Sequence, residues 1–251
     1  MSEPAETITA AVLVIGDEIL SGRTKDRNLG YIAEYCTNIG IELREARVVP
    51  DVQEEIVEAL NALRGRYTYV FTTGGIGPTH DDITFESVAA AFGVSIDEDP
   101  RAIAIMAPRY APGEFNAARR RMARIPAGAD LLDNPISKAP GFRIGNVIVM
   151  AGVPNIMQAM LDSAAGELKT GQRILAETVE AGGLPEGRYG AALGEVALAH
   201  SNVSIGSYPA FVDGGFRNQI VIRGKDAGAV GAARKAVEAM LAALSTHTQS
   251  P

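Results

Sequence analysis

Cysteine is almost missing from this 251-residue sequence. Cys36 stands alone, so no intrachain disulfide is possible. It falls on an apolar helical face and reads as core packing rather than a reactive thiol. Histidine is nearly as scarce: His80 lies in a glycine-rich loop, and His200 and His247 have no metal-like spacing. No Ser-His-Asp or Cys-His arrangement can be drawn. No run approaches the ~18 apolar residues of a membrane span. The opening MSEPAETITAAV lacks a basic stretch followed by a long apolar one, so no secretory signal is expected and the expected location is cytoplasmic. Positive charge is in deficit, with 23 Lys and Arg against 30 Asp and Glu and a formal net charge of -7. That balance argues against nucleic acid or an anionic membrane surface as partner. A phosphorylated small ligand would need backbone dipoles, a few local basic residues or a metal.

Hydrophobic residues make up 47% of the chain, enough for a real core in one large domain, or in one of ordinary size plus a small one. The first two-thirds alternates strand and helix. Ala10–Ile15 is an apolar strand, and Gly16 to Arg27 is polar and irregular. Asn28–Ile39 places Leu29, Ile32, Ala33, Cys36 and Ile39 on one helical face, and Gly40 ends it. Ile41–Val49 is a strand, and Pro50-Asp51 a turn with Asp51 as N-cap of a helix over Gln53–Arg64. Tyr67–Thr73 is a buried strand, and Ile83–Phe92 a helix. This order predicts parallel strands, right-handed crossovers and helices on both faces. The loops at 16–27, 50–52 and 74–82 should then share one sheet edge, where such folds bind ligands.

Further on, Asp99-Pro100 caps a helix to about Tyr110, and Glu114–Arg124 reads as another. Its Arg119, Arg120, Arg121 and Arg124 form either an anion patch or, as the spread of adjacent arginines around a helix favours, a solvated face. Residues 126–140 are loop-like. Gly141–Arg143 and Val147–Met150 are strands about a Gly145-Asn146 turn. Pro154 opens a helix bearing Met157, Met160 and Leu168. A small α+β module follows, with strands at 172–179, 203–208 and 216–223, helices at 188–200 and 226–245, and a frayed tail from Thr246.

The most informative segment is Thr72-Thr73-Gly74-Gly75-Ile76-Gly77-Pro78-Thr79-His80-Asp81-Asp82. A glycine turn between strand and helix offers bare N–H groups to phosphate-like anions. It lacks the Gly-Lys-Ser/Thr of a Walker A loop and the third glycine of a dinucleotide fingerprint. Phosphate would be met by N–H groups of residues 74 to 79 and the hydroxyls of Thr73 and Thr79. Asp81 and Asp82 either cap the helix or hold a divalent ion beside a phosphate. Asp17, Glu18, Asp26 and Asp51 fall on the same predicted edge. Lys138 and Arg143 are the candidate phosphate-facing cations.

The combination of TTGGIGPTHDD with GDEILSG, Asp26-x-Asn28, NPISKAPGF (134–142), AGVP (151–154), Tyr208-Pro209 and Gly214-Gly215 resembles the MoaB/Mog-type molybdopterin-binding domain, in its CinA-like branch. The resemblance implies a three-layer α/β/α domain at 8–170 with a mostly parallel sheet, a small α+β, KH-like module at 171–246, and a homo-oligomer. It implies either metal-dependent hydrolysis of ADP-ribose or a similar dinucleotide, with magnesium, manganese or cobalt, or molybdopterin binding without hydrolysis. A nucleotide-sensing module is the third alternative. Asp82, Asp81 and Glu18 are the expected catalytic residues, the two aspartates also as metal ligands. Gly16, Asn28, Asp51, Thr73, Gly74, Gly75, Gly77, Thr79, Lys138 and Pro154 are expected to bind substrate. The sequence ends at 251, where CinA proteins commonly continue into a nicotinamide-nucleotide deamidase domain, so that activity is expected to be absent. The small module shows no Gly-x-x-Gly loop with flanking basic residues, so a KH-like shape does not imply RNA binding.

Overall fold

The computed structural model describes residues 7–212 and 215–246. The chain divides into two compact units, residues 1–171 and 172–251. In the larger, β1 (Thr9–Ile15), α1 (Asp17–Leu20), α2 (Asn28–Asn38), β2 (Glu42–Val49), α3 (Gln53–Arg64), β3 (Tyr69–Thr73) and α4 (Thr84–Phe92) follow in order. Then come β4 (Ile96–Glu98), α5 (Pro100–Met106), α6 (Ala117–Arg121), β5 (Arg124–Pro126), β6 (Asp130–Leu132), β7 (Gly141–Ile144), β8 (Val147–Met150) and α7 (Pro154–Ala164).

The main sheet has the order β2-β1-β3-β8-β7-β6. Its first four strands are parallel, and β7 and β6 continue it antiparallel. The alternation of side chains divides the core between two faces. Ala11, Leu13 and Ile15 of β1, with Val70, Val147 and Val149, pack with Ile56, Leu60 and Leu63 of α3 and Phe85 and Val88 of α4. Ala10, Val12 and Val14, with Phe71, Ile148 and Met150, pack with Ile32 and Cys36 of α2 and Met157, Met160 and Leu161 of α7. Helices thus cover both faces of a mostly parallel sheet, giving three layers. Two-sided burial is why Ala10–Ile15 of β1 and Val147–Met150 of β8 are continuous apolar runs in the sequence.

Several boundaries differ from the sequence reading, each for a local reason. The polar stretch after Gly16 contains the one-turn helix α1. Pro108 follows the end of α5, which passes into a 3-10 turn at Ala107–Arg109 instead of continuing to Tyr110. Asn116 caps α6 by accepting the Arg119 N–H, so that helix starts late; it ends at Arg121 because Arg124–Pro126 extends to pair with β4. The segment read as loop after Pro126 contributes β6, paired with β7. Asp51 does not cap α3, whose N-cap is Val52 with no side-chain bond.

The smaller unit holds β9 (Leu175–Glu180), α8 (Glu186–Ala199), β10 (Ser204–Tyr208), β11 (Phe211–Val212), β12 (Gly215–Phe216), β13 (Gln219–Gly224) and α9 (Ala227–Thr246). Its antiparallel sheet, ordered β10-β13-β9, packs on α8 and α9 around Tyr189, Ile220, Ile222 and Val237. Gly214, His247 and the tail beyond Thr246 lie outside the described residues. Among the described residues no helix is long and apolar enough to cross a membrane.

Phe142 of β7 is fully buried, edge-on to Phe85 with ring centroids 4.8 Å apart. Phe142→Ala should destabilise the larger unit by about 3–5 kcal/mol, as large aromatic deletions in packed cores do. Urea denaturation checks this; an unchanged midpoint would show that Phe142 is not part of the packed core.

A cleft at the carboxyl ends of the parallel strands

The four parallel strands end together. Ile15 stands opposite Val49, Val14 opposite Thr73 and Thr73 opposite Met150. The loops after them therefore emerge along one edge. Two glycines press them together. Gly74 has φ 108°, and a Cβ there would lie 2.0 Å from the Ile15 carbonyl oxygen. A Cβ on Gly152 would lie 3.2 Å from Gly74 Cα. At Gly74 only glycine permits this approach of backbone to backbone, and at Gly152 a side chain would be tightly crowded. Gly75, with φ 63°, turns the chain against Thr84, whose hydroxyl and N–H return hydrogen bonds to the carbonyls of Gly74 (2.8 Å) and Gly75 (3.0 Å).

The anion cradle is narrower than the sequence reading. Gly74 donates its N–H to the Met150 carbonyl at 3.3 Å. Thr79 gives its N–H to Asp82 Oδ2 at 2.8 Å and its hydroxyl to the same oxygen, so it offers nothing to a phosphate. The N–H groups of Gly75, Ile76 and Gly77 donate to no group among the described residues. These three successive donors form the cradle.

The two adjacent aspartates do not form one site. Asp82 does not cap α4, whose N-cap is Ile83 with no side-chain bond; its carboxylate folds back onto Thr79 under Gly77. Asp81 is largely exposed, 3.9 Å from His80 Nδ1, and lines neither part of the cleft described below. The Thr79 hydroxyl, shared between this carboxylate and that of Asp82, its own backbone amide and the charges of His80 and Arg121 hold the Asp81 carboxyl below the ordinary range. Asp51 reaches across to the first loop, accepting the Asp17 N–H at 3.0 Å through Oδ2. Its Oδ1 lies 3.4 Å from where a Gly75 Cβ would stand. Burial pushes the Asp51 carboxyl above the ordinary range; the Asp17 amide opposes the shift, and the charges of Asp17, Glu18 and Asp81 add to it. Asp26 accepts the Leu29 N–H at 2.9 Å and so secures the start of α2.

Two lobes make up the cleft. One, of about 450 Å³, is lined by the segment from Arg23 to Asn28 with Ile15, Ile19 and Thr73. The other, of about 550 Å³, is lined by Gly75–Gly77, Asp82, Asn134, Ser137 and the apolar Met122, Val153, Ile156 and Met160. Glu18, Thr24, Gly74, Gly152 and Pro154 line both, making the waist between them. Each lobe has the size of a small-molecule site. Gly16, with φ 157°, turns the chain from β1 into α1 and sets Glu18 there.

The expected cations are elsewhere. Lys138 lines neither lobe, and its amino group lies 4.0 Å from Asp133. Arg143 bonds the Gly145 carbonyl and pairs with Glu167 at 3.6 Å, beside Tyr69 at the opposite end of β3. Arg23, Lys25 and Arg27 stand in the first lobe with no ion pair among the described residues. Their sequence signal was three basic residues within five. Arg121, one of the clustered arginines of the sequence reading, serves the site differently. It leaves α6 to donate to the Asp82 carbonyl at 3.1 Å and lies 3.7 Å from Glu86, bracing the glycine loop, while Arg120 pairs with Glu98 and Arg124 with Glu86. These arginines brace their neighbours while staying partly exposed.

Among the described residues no group of three or more His, Cys, Asp or Glu side chains is arranged to hold a metal ion. Asp82 and Glu18 do face the second lobe together. A divalent ion fits there only when most of its oxygen ligands come from a bound phosphate.

The Asp51 carboxyl stays protonated in the folded chain at pH values where the unfolded chain has ionised it, so its contribution to stability falls as pH rises from about 4 through the raised value. Asp51→Asn keeps an oxygen for the Asp17 N–H and removes the charge. It should melt at a higher temperature than the parent at pH 7, with the difference vanishing below about pH 4. Thermal melts across that range check it; a difference independent of pH contradicts it.

Residues 11–170 match the family described as a probable molybdopterin binding domain, and residues 177–249 match the middle domain of FAD synthase. A CinA-like protein of Citrifermentans bemidjiense is 40% identical over 64% of this chain and 41% of its own length. A probable FAD synthase of Caenorhabditis briggsae is 29% identical over 95% of this chain, which spans 50% of that protein. The crystal structure of CinA from Thermoplasma acidophilum, of unknown function, aligns with a TM-score of 0.61 at 33% identity, over 64% of this chain and 98% of that one. The chain therefore belongs to the family of probable molybdopterin binding domains and is similar, within it, to CinA proteins.

Proposed function

We propose that the larger unit binds a dinucleotide and hydrolyses its diphosphate, with ADP-ribose and FAD as representative substrates. The observation that carries this reading is the two-lobed cleft with a three-amide cradle beside its waist. A ligand made of two ring-bearing halves joined by a diphosphate matches that form. Its phosphate oxygens accept from the N–H groups of Gly75, Ile76 and Gly77. One half lies along Arg23–Asn28, and the other against Met122, Ile156 and Met160, an apolar wall suited to a flat ring. FAD enters through the FAD synthase names of a relative and of the family matched at 177–249.

Glu18 and Asp82 are the residues that would hold a magnesium, manganese or cobalt ion together with the phosphates. When bound, such an ion supplies charge neutralisation at phosphorus. The chain's own part is orientation and proton transfer. A Glu18 or Asp82 carboxylate accepts a proton from the attacking water as its oxygen bonds phosphorus and the bridging P–O bond breaks. Arg121 and Thr79 hold Asp82 in place, from its carbonyl and its carboxylate.

A second reading, favoured by the family description, is a pterin-phosphate binder without hydrolysis, occupying the cradle and the apolar lobe alone. Incubation with ADP-ribose or FAD and each metal ion, with chromatography for AMP, separates the two. Asp82→Asn should lower turnover by about 10²–10⁴-fold, the range for a lost general base, with a melting temperature close to the parent because the amide oxygen still accepts the Thr79 N–H. No AMP from either substrate with any of the three ions would sink the hydrolase reading. Tight binding of a pterin phosphate without a metal would then support the second.

A further inference from the structure

The wall of the first lobe holds a buried acceptor that the fold leaves unused. Asn28 opens α2 and is 4% exposed, yet it lines the first lobe. Its Nδ2 donates to Thr73 Oγ1 at 2.6 Å and to the Gly152 carbonyl at 2.7 Å. The Thr73 hydroxyl spends its own proton on the Ala151 carbonyl at 3.0 Å, so it accepts from Asn28. A carbonyl can only accept, so the Gly152 contact fixes which end of the carboxamide is nitrogen. The other end, Oδ1, is buried and has no hydrogen-bond partner among the described residues.

We infer that Asn28 Oδ1 accepts a hydrogen bond from a ribose hydroxyl of whichever half of a dinucleotide occupies the first lobe. The inference rests on the dinucleotide reading above. An ionised phosphate oxygen carries no proton and is repelled by a carboxamide oxygen, so the phosphates stay on the other side of Gly74, at the Gly75–Gly77 amides. The group at Asn28 must bring a donor. In a nucleotide the donors nearest the diphosphate are the ribose hydroxyls, whereas ring N–H groups lie one sugar further away. Arg23, Lys25 and Arg27 outweigh Glu18 and Asp26 on this lobe and so favour an anionic ligand there. The neutral acceptor adds the chemical choice, because a ligand without the hydroxyl leaves Oδ1 buried and unpaired.

The test measures equilibrium affinities, with and without magnesium, for ADP-ribose and for counterparts that each lack one ribose hydroxyl. With the unmodified protein, one counterpart should bind about tenfold to hundredfold more weakly than ADP-ribose, as expected for a buried acceptor left unpaired, and the others nearly as well as ADP-ribose. Asn28→Ala should abolish that discrimination. Thr73→Val, which removes the hydroxyl between Asn28 and Ala151, should retain it. Equal affinity for every counterpart in the unmodified protein overturns the assignment, whatever the variants do. So does an Asn28→Ala variant that weakens all the ligands by the same factor, which is the mark of a purely structural tie. Failure of ADP-ribose itself to bind overturns the dinucleotide reading and this assignment with it; binding without discrimination overturns the assignment alone.

Discussion

The close backbone contact among Gly74, Ile15 and Gly152 is the constraint on which the rest of the cleft depends. Parallel strands end at one edge, but their loops normally splay apart to make room for side chains. Here the Ile15 carbonyl occupies the space a Gly74 side chain would need, and Gly152 lies against Gly74 Cα. The loops after β1, β3 and β8 are thereby drawn to a single point. Asn28 then ties two of them from the start of α2, through Thr73 and the Gly152 carbonyl. A side chain at Gly74 would act on all three loops at once, because no rotamer change can relieve a clash with main-chain atoms.

Charge is arranged around that point in opposing layers. The N–H groups of Gly75–Gly77 and the basic residues of the 23–27 segment attract anions, while Glu18, Asp51 and Asp82 stand close by and repel them. The molecule accepts a cost for this. Asp51 is partly buried near other acids, and its carboxyl is harder to ionise than a free one. A fold selected for stability alone would have a neutral residue there. Under the proposed function, a ligand that brings its own cation would relieve this repulsion.

Much of the fold was legible in the sequence because its signals are local. The apolar runs at Ala10–Ile15 and Val147–Met150 are strands buried on both faces, and the spacing of Ile56, Leu60 and Leu63 is the inner face of α3. The convergence of the 16–27, 50–52 and 74–82 loops followed from strand order alone. What was not legible depended on tertiary pairing. The strands β4, β5 and β6 are three residues each and gain their conformation from partners far along the chain, so no periodicity announces them. Asp51, Asp82 and Thr79 were read as cap, metal ligand and phosphate ligand from their neighbours in sequence. Their actual partners, the Asp17 amide and one another, depend on how two loops fold back. Arg143 failed for a plainer reason: β7 runs antiparallel to β8, so a residue near its far end lies away from the ligand edge.

The same topology explains why the cations of the site come from an unexpected place. A parallel sheet offers a ligand only its carboxyl-end loops, and the longest of those before α2 is the 21–27 segment after α1. Basic residues on the antiparallel extension are oriented by hairpin geometry and pair locally, as Arg143 does with Glu167. Residues at 23, 25 and 27 precede a helix whose first turn carries no acidic side chain to neutralise them. Their positive charge is therefore left facing the cleft rather than consumed by the fold. An acidic chain can present a local basic wall in this way without a basic surface, provided its other arginines are occupied, as Arg101, Arg120 and Arg124 are by Asp99, Glu98 and Glu86.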